Sequence, residues 1–373
     1  MYSIYSNNII ERKINVDMDI IVENILQSAE GVTAIVLTGG FGRGEGSVLV
    51  DREKCQPLND YDVTVIAETW HEGLDLDTKR VELASLCGIR QVDLVLISQE
   101  SLPKLKLNML NYDLVNASKV IYGDHDWATK APRWKACDLP YKEGVKPLFL
   151  FLSSILQAYP KGNEMSHEEL FWSYQQSTKA VLGWSTAMLV FDGLYDPSYQ
   201  KRNLLFQKKY GEKKELCELV SKATAFKLKP NASPCNQDGL NEFWSLTKEA
   251  HLEVMKDLIP KFYNTKFTNW ERLVLRHKLS LASIAKKALS VLFSRHHYVN
   301  CLNIDIAKLY MCLSLDSDND YFLNKSRTHY KKLMLREKLN APSKDREKYL
   351  RQLMTTDINA RIFYEQGDTI YYE

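Results

Sequence analysis

The 373-residue chain contains no uninterrupted apolar run of the roughly 18 to 20 residues that a membrane-spanning helix needs. Its nearest approach, "PLFLFLSSILQAY" at Pro147 to Tyr159, is too short and fits a buried helix. The N-terminal stretch "MYSIYSNNIIERKIN" lacks the basic-then-apolar pattern of a secretory signal, so a cytoplasmic address without a membrane partner is expected. Among the seven cysteines there is no C-x-x-C pair, and their odd number and wide scatter argue against a disulfide framework and against a structural zinc site. The expectation is that most are buried thiols. The eight histidines also lack ligand spacing. His296 and His297 are adjacent, which on a helix turns them about 100° apart and away from a shared ion. No internal repeat or low-complexity run is present.

What the chain does have is bulk and an uneven charge. With 45% apolar residues it can bury real cores, and its length suggests two or three domains. The net charge is only +2, yet residues 1–130 carry 12 Lys and Arg against 20 Asp and Glu, while the remainder carries 37 against 27. An acidic first part suits a site of carboxylates that bind cations, and a basic second part suits polyanionic partners. An ordinary solvated surface would account for the second figure equally well.

The first part alternates helix and strand signals. Val16 to Ala29 has apolar residues near helical spacing, "TAIVLT" (Thr33 to Thr38) is a short β-branched run, "YDVTVIA" (Tyr61 to Ala67) alternates as a strand, and "RQVDLVLIS" (Arg90 to Ser98) is a third strand. Glu72 to Leu86 reads as charged and helical or irregular, and Asn108 to Ser118 as a helix before "KVIYGDHDW". From Val145 onward long helical stretches follow one another, broken at Pro, Gly or Asn, with "KPNASPCNQDG" as the clearest interior loop. The expected fold is therefore α+β: a small mixed sheet in residues 1–130, a mainly helical part over 140–300, and a C-terminal helical extension over 301–373 in which "GDTIYYE" forms a last strand or a tail.

The chemistry concentrates in two stretches. "LTGGFGRGEGS" (Leu37 to Ser47) places five glycines within eight positions, a density that requires backbone freedom or close approach. A glycine-rich turn between a strand and a helix presents N–H groups to phosphate. Neither G-x-x-x-x-G-K-[ST] nor G-x-G-x-x-G can be written here. Downstream, Asp60 and Asp62 are two apart in a strand and so face the same way, at roughly 6 to 7 Å, where like charges repel. Asp93 interrupts an apolar strand, where a charge is costly unless compensated. If the two strands pair, three carboxylates converge, and oxygen ligands without His or Cys select Mg²⁺ or Mn²⁺.

A strand ending in Gly-Gly, a short helix, an Asp-x-Asp strand and a third acidic residue on a neighbouring strand resemble the nucleotidyltransferase superfamily of the DNA polymerase beta type. The matching residues are Gly39, Gly40, Asp60, Asp62 and Asp93, and the resemblance covers about residues 15–125, including a closing "VIYGD". It implies transfer of a nucleoside monophosphate from a nucleoside triphosphate to an acceptor hydroxyl, on a small molecule, a sugar, RNA or a protein, with pyrophosphate leaving. Asp60 and Asp62 would hold two metals, Asp93 would bind the catalytic metal and help deprotonate the acceptor, and Gly39 and Gly40 would hold the terminal phosphates. The chain departs from the family in having Gly40 where a Ser is usual, and a 19-residue gap, Phe41 to Asn59, in which "SVLVDREKCQPL" adds a hairpin or an extended loop. Arg43 could supply part of the missing hydroxyl's role, and Glu45 could pair with Arg43, cap a turn or be solvated.

In the helical part, Lys179 lies where related enzymes often place a cation over the triphosphate, although a solvated helix position accounts for it equally well. Trp172 and Tyr174 could stack on a base, but read more readily as core. Two other functions remain open: a synthase of cyclic or short oligonucleotide messengers, whose Thr-containing loop after Gly-Ser is absent here, and a catalytically silent, antitoxin-like nucleotide-binding protein.

Overall fold

The Asn7 side chain accepts the Ile10 amide at 2.9 Å and so caps α1 (Asn8–Ser28) eight residues ahead of the apolar spacing that begins at Val16. Ile10, Ile14, Met18, Ile21 and Ile25 recur at helical spacing and are all buried. The computed structural model describes residues 1–51, 54–58, 60–68, 75–160, 165–231, 233–278, 301–315, 320–337 and 340–367. His296, His297 and the closing "GDTIYYE" from Asp368 on lie outside the described residues.

Among the described residues there are six strands: β1 (Val32–Leu37), β2 (Val48–Asp51), β3 (Lys54–Pro57), β4 (Tyr61–Ala67), β5 (Val92–Ser98) and β6 (Lys119–Gly123). Four form one mixed sheet in the order β5-β4-β1-β6, with β1 antiparallel to both neighbours and β4 parallel to β5. Strands β2 and β3 form a separate antiparallel hairpin, which occupies part of the long gap before Asp60. The helix α2 (Gly39–Gly42) follows β1 directly; α3 (Leu76–Cys87), capped by Asp75, precedes β5; α4 (Met109–Asn116), capped by Asn108, precedes β6.

Strand alternation gives the sheet two apolar faces. Ile35, Leu37, Tyr61, Val63 and Val65 pack with the buried stripe of α1 and with Leu83 and Cys87 of α3. Ala34, Val36, Ile66 and Ile97 pack with Leu102, Leu105, Leu114 and Trp127. Asp62 and Asp93 share the parity of this second face, at the end of the sheet where β4 and β5 begin.

The chain divides into two compact units. The first comprises Met1–Pro140 and Asp192–Pro234, so α8 (Tyr199–Tyr210) and α9 (Lys214–Leu228) belong with the sheet although they lie within the stretch that reads as the helical part. The second comprises Tyr141–Phe191 and the described residues from Cys235 on. It contains α5 (Lys142–Leu150), α6 (Leu152–Gln157), α7 (His167–Phe191), α10 (Gln237–Phe262) and helices at Cys301–Ser314, Asp320–Glu337 and Arg346–Gly367. Within it Trp184 is fully buried, the Trp244 indole N–H donates to the Ile155 carbonyl at 2.9 Å, and Tyr174 stacks on Phe243 at 4.5 Å between ring centroids, a core role for that ring. The fold is thus mixed α+β, with the strands in the N-terminal part and a mainly helical remainder. No helix among the described residues is long and apolar enough to cross a membrane.

The described cysteines are free thiols. Of the six, only Cys87, Cys217 and Cys312 are buried, so the expectation that most would be holds for half of them.

Candidate functional site

The parallel register of β4 and β5 sets Asp62 directly beside Asp93, and Asp60 stands just before β4 begins. The residue between the two aspartates holds the strand from behind. The Tyr61 hydroxyl, on the opposite face, donates to the buried Asp17 carboxylate of α1 at 2.6 Å, and Lys13 reaches both Asp17 and the Cys87 carbonyl. Burial, reinforced by Asp93 and then Asp60, pushes the Asp62 carboxyl up to about 7, with Arg43 and Lys227 acting against the rise. Gln91 donates its side-chain amide to Asp93.

The glycine loop rests on this carboxylate. Gly39 has φ +61°, and a Cβ added there would fall 1.7 Å from Oδ2 of Asp62. The Thr38 amide and hydroxyl both donate to the Asp62 carbonyl, at 2.7 and 3.2 Å, which ties the end of β1 to the start of β4. Gly40 differs from its neighbour: a Cβ there would meet nothing closer than the Glu45 carbonyl at 3.5 Å, an ordinary contact. The N–H groups of Gly39 and Gly40 open α2, a position without an intrahelical acceptor.

Arg43 and Glu45 both have structural partners. The Glu45 carboxylate is buried and accepts from the Ser198 hydroxyl at 2.7 Å and from the amides of Tyr199 and Gln200 at 2.7 and 3.1 Å, so it caps α8 from more than 150 residues away. Arg43 Nη1 lies 3.3 Å from Asp113 Oδ2, while its Nε stands 3.9 Å from Glu45 Oε2 and makes no hydrogen bond. Asp113 also accepts from the Tyr195 hydroxyl at 2.8 Å. The Ser47 hydroxyl donates to the Lys227 carbonyl in the last turn of α9, so the C-terminal end of the glycine loop is tied to both returning helices.

Those helices bring cations that the sequence reading did not single out. Arg202 of α8 lies 4.3 Å from the centre of the Tyr199 ring; Arg43 and Lys227 each lie 5.3 Å from it. Burial acts to raise the Tyr199 phenol, but Lys227, Arg43 and Arg202 together bring it below its ordinary pKa. Neither Arg202 nor Lys227 falls in a recognisable spacing, and α8, reading "YQKRNLLFQKKY", buries only Arg202 and Phe206, so no apolar stripe announces it. Lys179 lies exposed on α7 in the second unit.

Among the described residues, no three His, Cys, Asp or Glu side chains stand close enough together to hold a metal ion unaided. Magnesium commonly takes only one or two carboxylates and completes its shell with water and substrate phosphate. Oxygen donors alone, one of them with a pKa raised by burial and then by its acidic neighbours, fit such an ion in chemical type. The chain matches no protein-family model and no curated protein at a significant level.

Proposed function

We propose that this protein is a metal-dependent nucleotidyltransferase that moves a nucleoside monophosphate from a nucleoside triphosphate to an acceptor hydroxyl, releasing pyrophosphate. The observation that carries the reading is the meeting of three motif elements at one end of the sheet: Asp62 level with Asp93 across parallel strands, and the Gly39 Cα pressed against the Asp62 carboxylate.

In this reading Asp60, Asp62 and Asp93 hold Mg²⁺ or Mn²⁺. The ion, when bound, offsets negative charge on the phosphates and acidifies the acceptor hydroxyl. The amides of Gly39 and Gly40, at the positive end of α2, face the phosphate chain. Asp93 lies on the strand beside Asp62 and accepts the acceptor's proton at its carboxylate. Asp17 and Tyr61 keep β4 from moving when the carboxylates change charge.

The test is incubation of the protein with each α-labelled triphosphate and Mg²⁺ or Mn²⁺, with and without cell extract, following the label. Label on a new macromolecule or metabolite supports the proposal. Label in small products formed from triphosphate alone points instead to a messenger synthase. Absence of any turnover that Asp60→Ala with Asp62→Ala abolishes would sink both.

A further inference from the structure

We propose that Arg202 and Lys227, together with Arg43, form a binding site for a phosphate chain around the Tyr199 ring. The chemistry is that of pyrophosphate, whether free or as the outer phosphates of a nucleotide. Its use in catalysis rests on the nucleotidyl-transfer reading; the binding itself does not.

The cations around the ring differ in their direct partners. Arg43 has Asp113 and Glu45 within 4.0 Å, whereas neither Arg202 nor Lys227 makes an ion pair or a side-chain hydrogen bond among the described residues. Arg202 is only 9% exposed and is held between Tyr195, at 5.4 Å, and Tyr199, at 4.3 Å. Asp113 is near enough for Arg202 to act on it but makes no direct ion pair with it, and a guanidinium removed from water without a carboxylate in contact is costly, a cost that cation–π contact recovers only in part. An anion with several oxygens would satisfy it, since a guanidinium fork matches two phosphate oxygens at once. Arg43 Nε is a fully buried donor without an acceptor, on a guanidinium that faces the same ring.

The location limits what the anion is. The N-terminal amides of α8 are taken by Glu45 and by Ser198, so this helix end is not free to bind an ion and the side chains must do so. The Ser47 hydroxyl at the end of the glycine loop donates to the Lys227 carbonyl, and Arg43 lies within that loop, which puts both cations at the end of the sheet where Asp62 stands rather than at a remote surface. All these residues belong to the first unit, so the site is complete there and does not depend on Lys179.

The experiment is calorimetric titration of the full chain with sodium pyrophosphate in EDTA, with a nucleoside monophosphate and a triphosphate as further arms. One pyrophosphate should bind, the triphosphate should compete with it, and the monophosphate should bind at least about tenfold more weakly. Arg202→Met and Lys227→Met should each weaken pyrophosphate about tenfold or more, and Lys201→Met, an exposed neighbour on α8, should leave it unchanged. Should Arg202→Met fail to fold, Arg202→Lys and the half-buried Lys227→Met still report, because the first keeps the charge and the second removes little packing. No binding by the intact chain, or binding indifferent to both Met variants, overturns the proposal. Binding lost in those variants while no triphosphate is ever turned over leaves the anion site standing and removes the nucleotidyltransferase reading. Turnover that persists unchanged in variants that have lost pyrophosphate leaves the anion site standing and overturns its use in catalysis.

Discussion

Substituting each of the two adjacent glycines by alanine should have opposite consequences. At Gly39, φ of +61° costs an L-residue about 1–2 kcal/mol. The new Cβ would also stand 1.7 Å from Oδ2 of Asp62, so the carboxylate must rotate away from its place beside Asp93, at about another 1 kcal/mol if it leaves its rotamer. At Gly40 the φ is ordinary and the nearest atom lies 3.5 Å away, so alanine should be neutral or stabilise by up to about 1 kcal/mol through the unfolded chain. The two variants should therefore differ by about 3 kcal/mol. With a urea dependence of about 2–3 kcal/mol/M, this is a gap of about 1 M in midpoint. Because the chain has two compact units, the cleaner measurement is hydrogen exchange at the Thr38 amide, bonded to the Asp62 carbonyl at 2.7 Å, which should lose protection in Gly39→Ala alone. Gly40→Ser should fold like the parent and place a hydroxyl at the loop. If Gly39→Ala proves as stable and as protected as Gly40→Ala, the contact between loop and carboxylate is wrong, and with it the site.

Three other perturbations test separate parts of the structure. Tyr61→Phe removes the 2.6 Å donor to the buried Asp17 and should cost about 1–3 kcal/mol by urea denaturation; an unchanged midpoint would show that Asp17 does not need it. His251, His277 and His329 are buried, and burial holds each at about 4, helped at His329 by Lys278 and other lysines. Because the unfolded chain takes up their protons first, stability should fall as pH drops from about 6.5 towards 4, by about 2 kcal/mol per histidine at pH 5, and three Gln substitutions should flatten that profile. Asp62 has the opposite sign: its folded value of about 7 exceeds the unfolded 3.8, so the metal-free protein should lose stability as pH rises through that window. Mg²⁺ should then raise the melting temperature more at pH 8 than at pH 5.5, and an equal rise at both would argue against the ion at Asp62.

The parts of this molecule that were legible in its sequence are those whose cause is local. Asp60 and Asp62 announce themselves because period-2 alternation in "DYDVTVIA" fixes which side chains share a face, and Asp93 does so because a lone charge in "VDLVLIS" contradicts its surroundings. The parallel pairing that sets Asp62 beside Asp93 was conditional until the register was seen. Of the returning segment, "GEKKELCELVSKATAF" was legible as the helix that α9 is, but its return to the sheet was not. A helix whose buried residues are Arg202 and Phe206 has no apolar stripe to read; Ser198 caps α8 locally, and the Glu45 carboxylate that also holds its N-terminus lies 153 positions earlier in the chain. The same distance hid the meaning of Glu45: at sequence level a carboxylate in a glycine loop can pair, cap or be solvated, and only the arrival of Ser198, Tyr199 and Gln200 selects capping. A loop held by a helix from a distant segment is also rigid in a way that a glycine-rich loop alone is not. Gly39, Gly42 and Gly46 then serve close approach, and the cations carried in by α8 and α9 are positioned by the same contacts that hold the loop.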